Sequence, residues 1–512
     1  MLPGSWRICW VVWLVIALVW SSPAQDDGEA CTIGVASGMA TSDGRPLLWK
    51  TRDNSDKPNN EVVFNTSYRY GFVEVVNAGG SYAWMGVNEK GFAIVNSYAG
   101  DLPAASSGMT NGLLMKVALG TCASVADFEH LLDSTNVTGR KTRANFGVID
   151  STGAAAIFET AGYVYWKFDA TDSTQAPEGY IVRTNFALNG GGTSGIERYI
   201  RSNNLIHTFW SGDSLNYRSV LRYQMRDFSD SSSNPIPIPY HGYWAGGYPY
   251  GYIDASYSIC RWSSVSAAVI QGVLPGESPR LSTMYTHLGQ PAMGIFVPYW
   301  PVGTTPPVAN GSPTAPLCDV ANLIRSHVFD FYYDKHYLNS FKLRDDDGTG
   351  IWSQTFPAED SILAVTDSVL ALWRSQMPSS TEMRIVEYQL ANYAYGKIQQ
   401  VLGWISTITS PVSETAPGDF RIVGSYPNPF NAETVVEFTV PVRQRVELAV
   451  FNILGQCVAT LLSGSVSPGT HRVRWKAGGF PSGVYLVRLK VPGTANTMPS
   501  RSMHITRVVL LK

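Results

Sequence analysis

Apolar and polar positions alternate along much of residues 31–299. The runs GFVEVVNAGG, YAWMGVNEKGFAIVNSY and NFGVIDSTGAAAIFETAGYVYWKF change character at every second residue and break at Gly and Asn, as strands on a half-covered sheet do. Between them, GLLMKVALGTCASVADFEHLLDS and SGIERYIRSNNLIHTF repeat apolar positions at the spacing of a helix face. Strand runs interleaved with helices predict a layered α/β or α+β domain.

The pattern then changes twice. After the Pro-rich VPYWPVGTTPPVANGSPTAP, the stretches CDVANLIRSHVFDFYYDKHYL and STEMRIVEYQLANYAYGKIQQVLGWIST predict amphipathic helices over residues 306–408, packed on the first domain. ITSPVSETAPGDF is rich in Ser, Thr and Pro and predicts a linker at 409–420. From 421 to 512 only short strand patterns remain (VVEFTVP, VELAVFNI, THRVRWKA, GVYLVRLKV, RVVLLK). Their regular spacing predicts a small immunoglobulin-like β-sandwich.

Composition sharpens this picture. Only 15% of the 512 residues are charged, against roughly 25% in ordinary soluble domains, while aromatics reach 12%. Large, well-covered sheets fit those figures. The net charge of -2 and the lack of a Lys/Arg stripe give no footprint for nucleic acid. The first 24 residues hold Arg7, an apolar run over residues 8–20 and the small-x-small site Ser22-Pro23-Ala24. They predict a removed signal peptide and an exported protein. The alternative of a lipid anchor at GEAC lacks the leucine three residues before its cysteine.

With Cys9 in the signal, Cys31, Cys122, Cys260, Cys318 and Cys457 remain, an odd number that leaves at least one thiol without an intramolecular partner. Cys31 is the candidate, and a disulfide with Cys122 or Cys260 is its structural alternative. It opens a strand–turn–strand pattern with the turn at Asp43-Gly44 and a second strand ending Lys50-Thr51-Arg52-Asp53. GVNEKGFAIVNSY, VRTNF and SGIERY follow in that order. Metal chemistry has weaker support. There is no HExxH and no paired CxxC, and the calcium-like RDDDGTG has Phe356 where a bidentate acid belongs.

Over residues 31–300 this series resembles the N-terminal-nucleophile hydrolases of the choloylglycine hydrolase, penicillin V acylase and isopenicillin N acyltransferase group. The resemblance implies a four-layer αββα sandwich over residues 31–305 and a short propeptide at 25–30. It also implies cleavage of linear amides of small N-acyl compounds or short peptides, with no cofactor. Carried over by motif, Cys31 is the nucleophile, Asp53 contacts its free amine, Asn185 is an oxyanion donor, and Arg198 is the arginine of the Ser-x-x-x-Arg motif. Tyr98 falls on a position that members fill with Asn or Tyr, and Asn96 takes it after a shift in the alignment. Lys50 stands where choloylglycine hydrolases have arginine, keeping the charge without the fork, and Thr51 stands where asparagine is usual.

The implied chemistry is self-sufficient. A free α-amine, with an ordinary pKa of about 7.7 to 8.0, can take the thiol proton without a histidine, and the thiolate then forms a thioester. The related Cys-Thr dipeptidases share the Cys31 to Asp43-Gly44 spacing, but RTNF and SGIERY favour the acylases. A non-catalytic surface binding protein on the same scaffold is the reading from another class. The last 92 residues resemble the sorting domain of type IX secretion cargo, on SYPNPFNAETVVEFTVP, VFNILGQCVATL, GTHRVRWKA, SGVYLVRL and the terminal Lys512. That implies an outer-membrane export machine as partner and a secreted or cell-surface location.

Overall fold

The computed structural model describes residues 30–231, 235–242, 250–311, 314–331, 334–408, 420–440, 444–467, 469–490 and 503–511. The expected signal peptide, all of the propeptide but Ala30, and all of the linker but Phe420 lie outside them, as does the middle of the aromatic stretch around residues 240–252.

The chain enters on β1 (Ala30–Ala36), turns at Asp43-Gly44 and returns antiparallel on β2 (Leu47–Asp53). Gly44 has a φ of 72°, which a Cβ would disfavour. A meander follows: β3 (Asn60–Asn65), β4 (Phe72–Asn77), β5 (Met85–Asn88) and β6 (Ala93–Tyr98). Helices α1 (Asn111–Thr121) and α2 (Val125–Thr138) interrupt it before β7 (Ala144–Ile149), β8 (Ala155–Thr160) and β9 (Tyr165–Asp169). Next come β10 (Tyr180–Arg183), α3 (Ile196–Ser211), β11 (Tyr252–Asp254), β12 (Ser264–Gln271), β13 (Thr283–Leu288) and β14 (Val297–Tyr299).

Among the described residues these strands form two large sheets. One has seven strands in chain order from β3 to β9; the other has six, in the order β10-β1-β2-β12-β13-β14. Ile33, Val35 and Leu48 of the six-stranded sheet pack against Val75, Met85, Val95 and Ile157 of the other. α1 and α2 cover the outer face of the seven-stranded sheet through Leu114, Leu119 and Phe128. Trp49, Val182 and Val269 form the outer core of the six-stranded sheet with Ile206 of α3. The layers are therefore helix, sheet, sheet, helix, the expected αββα order. It also explains why β1, β2 and β12 are buried at every position. A strand covered on both faces has no polar side to alternate with.

The second region holds α4 (Pro316–Val328), β15 (Tyr337–Asn339), α5 (Ile351–Ser375) and α6 (Ser380–Ile408). Two points differ from the sequence pattern. The end of the CDVANLIRSHVFDFYYDKHYL stretch is strand β15, paired with β11. The 25-residue α5 was not anticipated; it carries Pro357 inside it, a residue that ordinarily ends a helix. Leu317 and Ile324 of α4 and Ile398 and Val401 of α6 join the core between the sheets.

The tail comprises β16 (Arg421–Tyr426), β17 (Glu433–Val440), β18 (Gln444–Asn452), β19 (Cys457–Val466), β20 (Gly469–Lys476), β21 (Gly483–Lys490) and β22 (Met503–Leu510). They form sheets β16-β17-β20 and β19-β18-β21-β22 around Val436, Phe438, Val450, Trp475 and Val487. The Pro427-Asn428-Pro429-Phe430 segment follows the first strand. Asn428 ties it to β22, its Nδ2 donating to Arg507 O at 3.1 Å and its Oδ1 accepting from Val509 N at 2.9 Å. Of the described cysteines, Cys122, Cys260 and Cys318 are buried free thiols and Cys457 is an exposed one; Cys31 is buried.

Candidate active site

Antiparallel register places the site. Cys31 lies directly across from Arg52, Ala30 across from Asp53, and Asp53 across from Ser264 of β12. Cys31 shares the strand face of Ile33 and Val35, which belong to the inter-sheet core. It is buried, as are Lys50, Arg52, Asp53, Asn96, Asn185 and Arg198.

Asn185 and Arg198 converge on Cys31 from the chain beyond β10. Asn185 Oδ1 accepts the Cys31 N–H at 2.9 Å and an Arg198 Nη2 donor at 2.6 Å. Two donors on one oxygen fix the amide orientation, and Asn185 Nδ2 donates to Tyr98 O at 3.0 Å. Arg198 Nη1 donates to Cys31 O at 2.6 Å and to Thr32 Oγ1 at 3.1 Å. One planar fork thus binds the cysteine's carbonyl and the asparagine that holds its nitrogen.

SGIERY allows this because Gly195, at the α3 N-cap, has a φ of 75°. A Cβ there would run into the Arg198 guanidinium. Burial lowers the Arg198 pKa to about 10, with Arg261 adding to the effect and Asp53 opposing it. A cation in the first turn also opposes the helix dipole, so the placement is costly and points to a task.

Asp53 is wholly buried, and burial raises its pKa; Arg261, Arg198, the Ser264 hydrogen bond and Lys50 pull it back. Ser264 Oγ donates to Asp53 Oδ1 at 2.5 Å, and Arg261 Nη1 lies 4.0 Å from Oδ2. Among the described residues that Oδ2 has no hydrogen-bond partner.

Lys50 and the two alternative positions on β6 sit to the other side. Lys50 Nζ donates to Asn96 Oδ1 at 2.7 Å and to Trp84 O at 3.1 Å. Tyr98 meets the site through its carbonyl, while its ring lies 5.1 Å from the Arg143 guanidinium. Asn96 is therefore linked to Lys50, and Tyr98 to Asn185.

Three further residues belong to this cluster and were not picked out from the sequence. Arg52 donates from Nη1 to Asn60 Oδ1 at 2.9 Å and stacks 4.5 Å from the Trp84 ring. Its signal was available, since it lies between Thr51 and Asp53 on the strand paired with Cys31. Ser264 and Arg261 stand in CRWSSVS, which carries no motif, and only the β2–β12 register brings them to Asp53.

The comparisons with known proteins bear on this cluster. Residues 39–207 match the model of the acyl-coenzyme A:6-aminopenicillanic acid acyl-transferase family. Over that stretch the N-terminal region is similar to this family. The match spans Lys50, Asp53, Asn96, Tyr98, Asn185 and Arg198 and begins after Cys31. Residues 425–498 match the secretion system C-terminal sorting domain, so the chain carries an address for export to the cell surface or medium.

No curated protein matches the chain significantly. Among solved structures, a mutant of the conjugated bile acid hydrolase from Clostridium perfringens is similar at 12% identity and a TM-score of 0.32, covering 50% of this chain and 89% of that one. Penicillin V acylase from Agrobacterium tumefaciens is similar at 12% identity and 0.32, covering 53% and 85%. The Caenorhabditis elegans ortholog of N-acylethanolamine-hydrolyzing acid amidase gives 12% and 0.30, covering 49% and 93%.

Proposed function

We propose that this protein is an exported cysteine-nucleophile amidohydrolase or acyltransferase, acting on the linear amide bond of a small N-acyl compound once Cys31 has become its first residue. The observation that carries the reading is the grip on both backbone polar groups of Cys31. Asn185 accepts from its nitrogen and Arg198 donates to its carbonyl. An ordinary strand residue spends those groups on the ladder; here side chains hold the nitrogen that would become an amine.

In this mechanism the released amine stays against Asn185 Oδ1 and gains the Asp53 carboxylate, whose Oδ2 has a vacant acceptor position. The amine takes the Cys31 thiol proton, and Sγ attacks the substrate carbonyl carbon. Asn185 Nδ2 stabilises the resulting oxyanion. The carbon–nitrogen bond breaks as the ammonium returns its proton to the leaving amine. Water or an acceptor amine then cleaves the thioester. Lys50 and Arg52 add positive potential, which favours the thiolate.

In this reading residues 31–305 do the chemistry, 306–408 buttress them, and 421–512 address the export machinery. Asn185→Ala tests the oxyanion role. Loss of one donor costs about 2.7 to 4 kcal/mol, or roughly 100- to 1,000-fold in turnover, read on protein that remains folded. Unchanged turnover of N-acyl amides by Asn185→Ala would remove Asn185 from the chemistry.

A further inference from the structure

The Asn185 side chain works from a turn, and loops are ordinarily the less rigid parts of a protein. Two buried polar residues of the opposite sheet hold this one. Asn145 of β7 is fully buried, and its Nδ2 donates to Thr184 O at 3.0 Å, Phe186 O at 3.0 Å and Ser97 Oγ at 3.1 Å. It thereby fixes the carbonyls on either side of Asn185. The reversed amide would set an oxygen against two carbonyl oxygens, so the donor orientation is the one that fits.

Glu159 of β8 is also fully buried and grips the same segment by its donors. Its Oε1 accepts from Arg183 Nε at 2.8 Å and Leu188 N at 2.9 Å, and its Oε2 from Asn189 N at 3.0 Å and Asn189 Nδ2 at 2.8 Å. Four donors fill the acceptor capacity of one carboxylate. These contacts begin two residues before Asn185 and end four after it. Neither Asn145 nor Glu159 has a hydrogen bond to Cys31 among those described.

We infer that Asn145 and Glu159 are positioning residues that set where the Asn185 amide stands relative to Cys31, an inference that rests on the proposed oxyanion role of Asn185. They belong to the seven-stranded sheet, whereas β10 and Cys31 belong to the six-stranded one. The turn that carries Asn185 is thus clamped from across the sandwich. A displacement of the order of 1 Å in such a group is worth up to about 100-fold in rate.

The test is acylation of Cys31 by p-nitrophenyl acetate in a single turnover, on full-length mature protein beginning at Cys31. Thioester formation is followed by intact mass and nitrophenolate release. Glu159→Gln keeps the shape but turns an amide NH2 toward backbone N–H donors. It should lower the maximal acylation rate about 10- to 100-fold with little change in half-saturation. In an Asn185→Ala background the same change should alter the rate by less than about twofold, because both act through one group. Asn145→Asp, which sets an oxygen against the Thr184 and Phe186 carbonyls, should behave alike and serves if Glu159→Gln does not fold. Wild-type acylation by a folded Glu159→Gln or Asn145→Asp protein overturns the inference while leaving the role of Asn185 standing. Equal losses in both backgrounds also overturn it, marking a general structural role. Wild-type acylation by Asn185→Ala would overturn the oxyanion reading itself, and the positioning inference with it.

Discussion

The two ends of the described chain use charge in opposite ways. In the tail, Arg472–Glu437 and Arg474–Glu433 join β20 to β17 and Arg488–Glu447 joins β21 to β18, all on solvent-facing sides. The core beneath is apolar except at its margins. Around Cys31 the charges are inside: Lys50, Arg52, Asp53, Arg198 and Arg261 are all buried. Exposed pairs are worth little, about 0 to 1 kcal/mol, and can be rearranged freely. Buried ones incur a desolvation penalty of several kcal/mol per ion and persist only where hydrogen bonds offset it. A sheet that serves as an address keeps its interior simple, whereas a sheet that performs chemistry carries its charges into the interior.

The largest effect that would sharpen this contrast comes from removing one region. Truncation before Arg421 should leave amide turnover intact and abolish delivery to the cell surface, read by activity in lysate against activity on washed cells. Loss of turnover on truncation would mean that the two ends are one cooperative unit.

Next in size is the buried pair that fastens α5 to the six-stranded sheet side. Arg226 donates to Glu359 through Nη1 at 3.0 Å and Nη2 at 2.6 Å, and both side chains are 1% exposed. Glu359 Oε2 also accepts from Phe296 N at 3.0 Å. Glu359→Ala should cost about 3 to 5 kcal/mol in denaturant unfolding. A loss of under about 1 kcal/mol would show that α5 is held by apolar packing alone.

A smaller, pH-dependent effect is expected at Glu387 on α6. Burial raises its pKa from 4.5 to about 8, opposed by the Trp300 N–H it accepts at 2.5 Å and by Arg384. Because the folded-state value lies above the unfolded one, its stabilisation is fully present below about pH 4.5 and is lost as pH rises through about 8. Chemical unfolding of Glu387→Gln at pH 6 and pH 9 should show a flatter slope than wild type, by a few kcal/mol at most. Parallel slopes would place the alkaline loss elsewhere.

The smallest effect belongs to the tail. Glu437→Gln, which breaks the exposed pair with Arg472, should change stability by roughly 0 to 1 kcal/mol. A larger loss would break the contrast between the two ends.

Legibility in the sequence followed the same division. β4 to β9 and the tail strands could be read from the alternation of residue types and the Gly and Asn breaks, although β5, β7 and β8 are buried at every position. β1 and β2, buried throughout, were legible only through the turn at Asp43-Gly44 and the motif around Cys31. α5 was hidden by Pro357. Cys31, Asp53, Asn185 and Arg198 were found as motif members, and the structure gathers them within one hydrogen-bonded and electrostatic network. Ser264, Arg261, Asn145 and Glu159 carried no local signal. Their places depend on strand register and on packing across the sandwich, which no spacing along the chain records.

The central claim is that Cys31 acts as an N-terminal residue, its own amine serving as the base. Intact-mass analysis and amide turnover on one preparation test it most directly, with Cys31→Ala as the control. The account predicts that turnover rises in proportion to the fraction of chains that begin at Cys31, and that Cys31→Ala folds but turns over nothing. Full turnover from a homogeneous chain that still begins upstream of Cys31 would contradict it.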